Sequence, residues 1–350
     1  MGAIDGAGSW ALIIGRLLAD EDISKDEAQA ATQAILLGEA SSAQMTAFIV
    51  ALRAKGETAQ ELEGMLAAVR LAAKSVVLPP EIASRCIDIV GTGGDRSQSV
   101  NISTMASLVV AGAGVPVCKH GNRASSSLCG TADVLEALGV ILELSAEGVA
   151  QCVLEAGMGF CFAPAFHPAF KHVGPARREI GVPTAFNLLG PMANPAEVKS
   201  MVVGVGDRGF ATLMAQVLAT RGVTSAWVVH GHGGLDELSL SGPALVTQLR
   251  DGSLSNFEID GLEFGFARAD VAAIKGGDPR HNAQVIRDML GGQRGPIHDI
   301  VVLNAAGALL VAGAAHEMRE AVALATASID SGSAQKVLDT LVSVSRAVAI

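Results

Sequence analysis

The sequence predicts an α/β protein, with a small N-terminal helical bundle followed by a larger domain on a mostly parallel central sheet. Three observations carry this expectation. Apolar residues repeat at helical spacing through the first 75 residues, Pro79-Pro80 interrupts the pattern, and beyond it short β-rich runs alternate with Ala-rich helical stretches. The expected units are residues 1–78 and 79–350, with a segment near 180–200 joining the helical unit. A chain of 350 residues with 50% hydrophobic content can bury the cores that such units need.

In the helical part, Ser24 with Glu27 and Thr58 with Glu61 fit the capping box, in which each side chain satisfies a free backbone N–H of the other residue. Two helices are expected to start there. Met45, Phe48, Ile49 and Leu52 form one apolar stripe and Leu62, Met65, Leu66 and Val69 another, while Gly38 and Gly56 stand where helices should end. The first stripe suits either a core or an interface between chains. In the second part the expected strands are Ile87–Val90, Val115–Lys119, Met201–Val205 and Ala226–Val229. From about Asn282 onward, Ala/Leu/Val-rich helices should pack on the sheet. Ligands of such sheets bind at the carboxyl ends of the strands, so the loops just after them carry the chemistry.

Composition excludes several classes. With 25 Lys+Arg against 35 Asp+Glu, the net charge of −10 disfavours nucleic acid and anionic membranes as partners. Tyrosine is absent and aromatics make up 3%, which removes stacking platforms for single strands. No apolar run suits a membrane span, and the N-terminus lacks a secretory pattern, so a cytoplasmic location is expected. Five scattered cysteines, never in a C-x-x-C pair, read as small buried hydrophobes.

Two loops concentrate polar chemistry. After Ile87–Val90 comes Gly91-Thr92-Gly93-Gly94-Asp95, running through Asn101-Ile102-Ser103-Thr104 into a helix expected near Met105. Its glycines permit close approach of backbone N–H groups to an anion. It is neither a Walker loop nor a dinucleotide fingerprint. The second loop reads Lys119-His120-Gly121-Asn122-Arg123-Ala124-Ser125-Ser126-Ser127, in which two fixed cations, an amide and three hydroxyls suit a ligand with several phosphate oxygens.

These loops, followed by Ala132-Asp133-Val134-Leu135-Glu136, resemble the anthranilate phosphoribosyltransferase family. The resemblance continues through Phe162–Ala169, Arg177-Arg178-Glu179, Phe186–Pro191 with Asn194-Pro195, and Gly233-Gly234-Leu235-Asp236-Glu237, covering nearly the whole chain. It implies a helical domain joined to an α/β domain of the nucleoside phosphorylase/phosphoribosyltransferase class. The implied reaction is transfer of the phosphoribosyl group of phosphoribosyl pyrophosphate (PRPP) to the amine of anthranilate, in tryptophan biosynthesis.

The resemblance further implies that Gly91, Gly94, Asp95, Asn101, Ser103, Thr104, Lys119 and Ser127 surround PRPP, with Thr131 at the edge. Along both loops we extend this set to Ser99, Ile102, His120, Gly121, Asn122, Arg123, Ala124, Ser125 and Ser126. Ser103, Asp236 and Glu237 are implied to hold two magnesium ions, and Gly91, Asn122 and Arg177 to contact anthranilate, with Lys119, Asn122 and Arg177 as the positioning residues. The residues themselves agree, since magnesium takes one or two carboxylates plus substrate phosphate and an arginine fork suits an aromatic carboxylate. The family resemblance also implies a homodimer through the N-terminal helices.

The sequence departs from the family where Arg96-Ser97-Gln98-Ser99-Val100 replaces a flexible stretch and where Cys129 replaces a serine. His230 and His232 flank one glycine without a third ligand nearby, and His167 and His172 read as polar lining. A pyrimidine nucleoside phosphorylase is the enzymatic rival; it needs neither the Asp-Glu pair nor the segment running from His167 to Glu179. A non-catalytic nucleic-acid binder is the rival of another class, and the charge speaks against it.

Overall fold

The computed structural model describes Ile4, residues 9–124 and residues 127–349. Ser125 and Ser126, expected at the phosphate loop, lie outside the described residues.

The first four helices, α1 (Trp10–Leu18), α2 (Lys25–Leu37), α3 (Ser42–Lys55) and α4 (Ala59–Leu71), form the N-terminal unit. Local chemistry sets their ends. Ser24/Glu27 and Thr58/Glu61 close both expected capping boxes, and Ser41/Gln44 closes a third that starts α3. Gly38 caps α2 in the left-handed conformation at φ 75. Gly64 lets α4 touch α2, because a Cβ there would overlap the Lys25 carbonyl. The 45/48/49/52 stripe is core: Phe48 and Leu52 are fully buried, and Trp10 meets Phe48 edge-on at 6.0 Å. Glu61 is also fully buried, compensated by Lys55 at 3.1 Å and by the amides of Ile23 and Thr58.

The larger unit continues with α5 (Pro80–Ala83), β1 (Ile87–Gly91), α6 (Ile102–Gly112), β2 (Val117–Gly121), α7 (Thr131–Leu138), α8 (Ala146–Ala156), β3 (Met158–Phe162) and α9 (Ala163–Phe166). Next come α10 (Gly174–Ile180), α11 (Ala185–Met192), β4 (Ser200–Gly204), α12 (Ala211–Thr220), β5 (Ser225–His230), β6 (Ala244–Arg250) and β7 (Ser253–Ile259). Helices α13 (Pro279–Leu290), α14 (Pro296–Val311), α15 (Met318–Asp330) and α16 (Ser333–Ala347) complete it.

The sheet has seven strands in the order β3-β2-β1-β4-β5-β6-β7. Strands β1 to β5 run parallel, and β6 and β7 add an antiparallel edge. The parallel strands read as near-continuous apolar runs because both faces are covered, with α6 and α14 packed together and α14 reaching β4 and β5. The five cysteines are all buried and unpaired in disulfides.

Between β3 and β4 the chain leaves the sheet. The turn Pro168–His172, α10 and α11 pack against α2, α3 and α4. Lys74 donates its amide to Phe166 O at 2.9 Å, Val76 to Pro195 O at 3.0 Å, and Arg70 pairs with Glu197 at 2.5 Å. A stretch from 166 to 197 therefore fastens the helical unit to the rim of the sheet.

Candidate active site

Strand order fixes where the site lies. From β1 the chain winds outward through β2 to β3, then returns to place β4 on the other side of β1. The loops at the carboxyl ends of β1 and β4 thus diverge, leaving a crevice at the switch of direction. The loop after β1 and the loops after β2 and β5 converge there: Gly93 donates its amide to Asp236 at 2.8 Å, Ser103 its amide to Glu237 at 3.0 Å, and the Thr104 and Thr131 hydroxyls lie 3.5 Å apart.

Gly91 and Gly204, side by side at the ends of β1 and β4, explain how Asp236 reaches this position. A Cβ on Gly91 would collide with the Asp236 carboxylate, and one on Gly204 with the Asp236 carbonyl. Only glycine leaves room. Asp236 and Glu237 are partly accessible residues whose carboxyl groups are desolvated. Burial first, then the neighbouring charge of Asp95, pushes Asp236 up to about 7, and burial together with Asp236 pushes Glu237 well above the usual carboxylate range. One Asp95 oxygen accepts the Ser97 amide at 3.1 Å, while the other is buried without a partner. Three carboxylates crowded this way are short of positive charge.

Among the described residues, no three His, Cys, Asp or Glu side chains are arranged to hold a metal ion by themselves. The donor set instead fits a hard divalent cation that takes carboxylate oxygens and completes its shell with ligand phosphate and water. The orphaned Asp95 oxygen and the raised Asp236 and Glu237 are what such a cation would relieve.

Lys119 is the cation present. Its side chain is fully buried, its ammonium donates to the Ile89 carbonyl, and burial lowers its pKa against the pull of Asp88, Glu237 and Asp236. It faces the carboxylate floor of the crevice and not solvent. Beyond it, Asn122 Oδ1 accepts the Arg123 amide at 2.7 Å, and Asp133 accepts the amides of Ala124 and Gly130, both at 2.9 Å. The Arg123 guanidinium is engaged by Asp133 at 3.0 Å and Glu136 at 2.8 Å and stacks over Phe162. Ser127 donates to Cys129 O at 3.4 Å, and a Cβ at Gly121 would press on Phe160 and Thr131. In the first loop Asn101 joins Cys129 O at 3.1 Å to Asn282 at 2.9 Å, Ile102 and Thr104 are buried at the start of α6, and Ser99 bridges Lys275. Gly94 adopts φ 78, while Arg96 and Gln98 hold φ 60 and 52, the left-handed region that favours glycine.

The other wall is aromatic. The ring of His120 meets His167 at 5.0 Å, His167 meets Phe170 at 5.7 Å, and Phe170 meets Phe186 at 5.9 Å. Burial holds His120 down to about 3 and His167 to about 4, so both are neutral, and three of their four ring nitrogens lack a partner. Arg177, on α10 directly after this segment, is half-buried; burial lowers its pKa, and among the described residues no carboxylate lies within ion-pair distance of it. Arg178 beside it is exposed. His230 bonds to Val205 O at 2.9 Å and His232 to Ser241 at 3.2 Å, both away from the carboxylates.

Two buried polar residues were not among the sequence candidates: Asp88 within β1 and Asn194 after α11, hydrogen-bonded to each other at 2.7 Å. A lone acid inside the apolar run Ile87–Val90 was the signal for the first.

Comparison with known proteins agrees with this architecture. Residues 83–335 match the glycosyl transferase family a/b domain and residues 12–73 its helical bundle domain. The chain is 50% identical over 338 residues to anthranilate phosphoribosyltransferase of Saccharopolyspora erythraea, an alignment that covers 95% of each chain. The crystal structure of the Thermus thermophilus anthranilate phosphoribosyltransferase superposes with a TM-score of 0.90 at 40% identity, covering 95% of this chain and 99% of that one. The Saccharomyces cerevisiae enzyme, solved in complex with PRPP and Mg, gives 0.88 at 27% identity over 97% and 98% of the two chains. With a family model matched over most of its length and a relative at half identity along nearly all of it, the chain belongs to the anthranilate phosphoribosyltransferase family.

Proposed function

We infer that this chain transfers the phosphoribosyl group of PRPP to the amine of anthranilate, giving N-(5-phosphoribosyl)anthranilate and diphosphate in tryptophan biosynthesis. The observation that carries the reading is a crevice polarised at its two ends. One end holds a phosphate-type double loop above carboxylates short of positive charge; the other holds an aromatic wall followed by an arginine without a carboxylate partner.

In the reaction the amine nitrogen bonds to the anomeric carbon as the bond from that carbon to diphosphate breaks, and the nitrogen then sheds a proton. An aryl amine is neutral at pH 7, so the step needs no strong base. Catalysis comes from holding two ligands in line and from electrostatics. PRPP is assigned to Gly91, Gly94, Asp95, Ser99 and Asn101–Thr104, to Lys119–Ala124, and to Ser127 and Thr131. Arg123 enters this set through its backbone, since Asp133 and Glu136 hold its guanidinium. Anthranilate is assigned to Gly91, Asn122 and Arg177. The yeast relative solved with PRPP and Mg supports magnesium here, and we assign two ions to Ser103, Asp236 and Glu237. Magnesium, when bound, neutralises the departing diphosphate.

A homodimer through the helical unit is part of the proposal. Because the 45/48/49/52 stripe is spent on the core, the surface left for it includes the exposed Leu12, Leu18 and Val50. A cytoplasmic setting is proposed as well, as for a biosynthetic enzyme of this family. Among the described residues no helix is long and apolar enough to cross a membrane.

The test is anthranilate fluorescence in a mixture of protein, PRPP and magnesium. The signal should decay only when all three are present. A stable signal, or phosphorolysis of a pyrimidine nucleoside by the same sample, would overturn the reading.

A further inference from the structure

The phosphate-loop strand β2 is poorly tied to its neighbour. Among the described residues the register between β1 and β2 gives one pair, Ile87↔Val117, whereas β1 with β4 and β2 with β3 each give five. Beyond that pair, where β2 delivers Lys119 and His120 to the crevice, side chains supply hydrogen bonds to β2. Asp88, fully buried, accepts the His120 amide at 3.1 Å on one carboxylate oxygen and Asn194 Nδ2 at 2.7 Å on the other. The same Nδ2 donates to the Cys118 carbonyl at 2.8 Å, and Asn194 Oδ1 accepts the Ala196 amide at 2.8 Å, so the orientation of the amide is set on both sides. Between Cys118 and His120 stands Lys119, whose ammonium donates to Ile89 and whose strongest charge partner is Asp88.

Asn194 follows α11, which packs on α3 and α4, and the carbonyl of Gly190 in that helix meets His120 Nδ1 at 3.1 Å. Cys118 is therefore bonded by Asn194 and His120 by Asp88, and the charge of Asp88 acts on Lys119 between them.

We propose that Asp88 and Asn194 are positioning residues that extend the short β1–β2 ladder, aim Lys119 at the phosphate side of the crevice and lock the loop to the segment 190–196. The inference rests on the PRPP reading given above. A buried acid with one oxygen on a backbone amide and the other on an amide side chain orients β2 without touching a ligand. Truncating either partner leaves one buried oxygen or N–H of the other without its partner.

The test uses the full chain with Asp88→Asn, Asn194→Asp, the exchange of both, and Asn194→Ala. It reads thermal midpoint, KM for each substrate, and the Kd of PRPP by calorimetry at fixed magnesium. Asp88→Asn sets two NH2 groups face to face, and Asn194→Asp sets two carboxylates face to face. Each should raise KM and Kd for PRPP about tenfold, the scale of one lost charged hydrogen bond, with anthranilate KM within about threefold. The exchange restores donor against acceptor between the two side chains and keeps the charge but leaves the Cys118 carbonyl facing a carboxylate oxygen, so it should bind PRPP better than Asn194→Asp, which carries the same clash, and more weakly than wild type. Asn194→Ala retains Asp88 and the His120 contact and should raise PRPP KM several-fold in a folded protein. Wild-type PRPP affinity in any folded single variant overturns the proposal, as does an exchange variant no better than Asn194→Asp or a fall in kcat at unchanged KM, the mark of lost folded protein alone. A wild type that binds PRPP yet leaves anthranilate untouched would refute the reaction, while the Kd series would still decide the latch.

Discussion

The two ends of the crevice are built on opposite principles. The phosphate end is carried by the central strands of the sheet and is densely bonded: Asp236, Glu237, Lys119 and Asp133 each hold a backbone amide or carbonyl of a neighbouring segment. The acceptor end is carried mainly by short helices outside the sheet; among the described residues its Arg177 has no ion-pair partner and its His167 has ring nitrogens left over, as has His120 at the end of β2, where the two ends meet. The difference teaches where rigidity is needed. A ligand with several charges, leaving as diphosphate, needs preformed charge around it. An aromatic acid offers one carboxylate and a flat face, which a wall and a fork can hold on a segment shared with the helical unit.

The sharpest break of this contrast is at the carboxylates. Asp236→Asn with Glu237→Gln should cut turnover at least tenfold at fixed magnesium, because on the proposed assignment a bound metal would lose its carboxylate oxygens. Without metal the same variant should melt no lower than wild type, since it removes buried charges that repel each other. A large fall in midpoint with turnover retained would make the pair structural.

Acid should find the other end. With folded values of about 3 for His120 and about 4 for His167, both stay neutral in the native chain, while the same side chains unfolded gain protons below about 6.5. The unfolded state then binds more protons at these two side chains, so their contribution to stability is constant above about pH 6.5 and falls progressively toward pH 4, by on the order of a few kcal/mol, while the raised Asp236 and Glu237 carboxyls contribute in the opposite sense over the same window. Denaturant midpoints across pH 7 to 4.5 measure this. His167→Gln should flatten the slope, and an unchanged slope would mean that these histidines are not its source.

The smallest effect is expected at Arg96, whose φ of 60 costs roughly 1 kcal/mol for a residue with a Cβ. Gly in its place gains backbone freedom in the unfolded chain, which offsets most of that. The midpoint of Arg96→Gly should stay within about 2 °C of wild type, with PRPP KM within a few-fold. A tenfold loss of PRPP affinity would add the Arg96 guanidinium to the phosphate end.

How far the sequence revealed each end follows from the range of its interactions. The helical unit was legible because Ser24/Glu27 and Thr58/Glu61 act over three residues. The phosphate loops were legible because glycines and fixed cations cluster along the chain. The β6–β7 hairpin also carries a local signal, Asp251-Gly252 with φ 49 and 80, which alternation alone does not use. What stayed hidden is long-range. Asp88 and Asn194 meet across 106 positions, and nothing near either announces the other. Whether Phe48 and Leu52 face a core or another chain depends on where Trp10 and α1 settle. Arg123 read as a phosphate ligand by type, and only the fold brings Glu136 and Asp133 onto its guanidinium.

The division of the crevice is tested most directly by crossed kinetics on Lys119→Ala and Arg177→Ala, with Arg178→Ala as the neighbouring control. Lys119→Ala should weaken PRPP by the roughly 1.5–3 kcal/mol of one charged contact and leave anthranilate KM nearly unchanged. Arg177→Ala should lower kcat/KM for anthranilate roughly 10- to 150-fold while the apparent PRPP affinity stays within a few-fold. If both variants instead weakened the same substrate, or if Arg178→Ala alone produced the anthranilate loss, the assignment of the two ends would be contradicted.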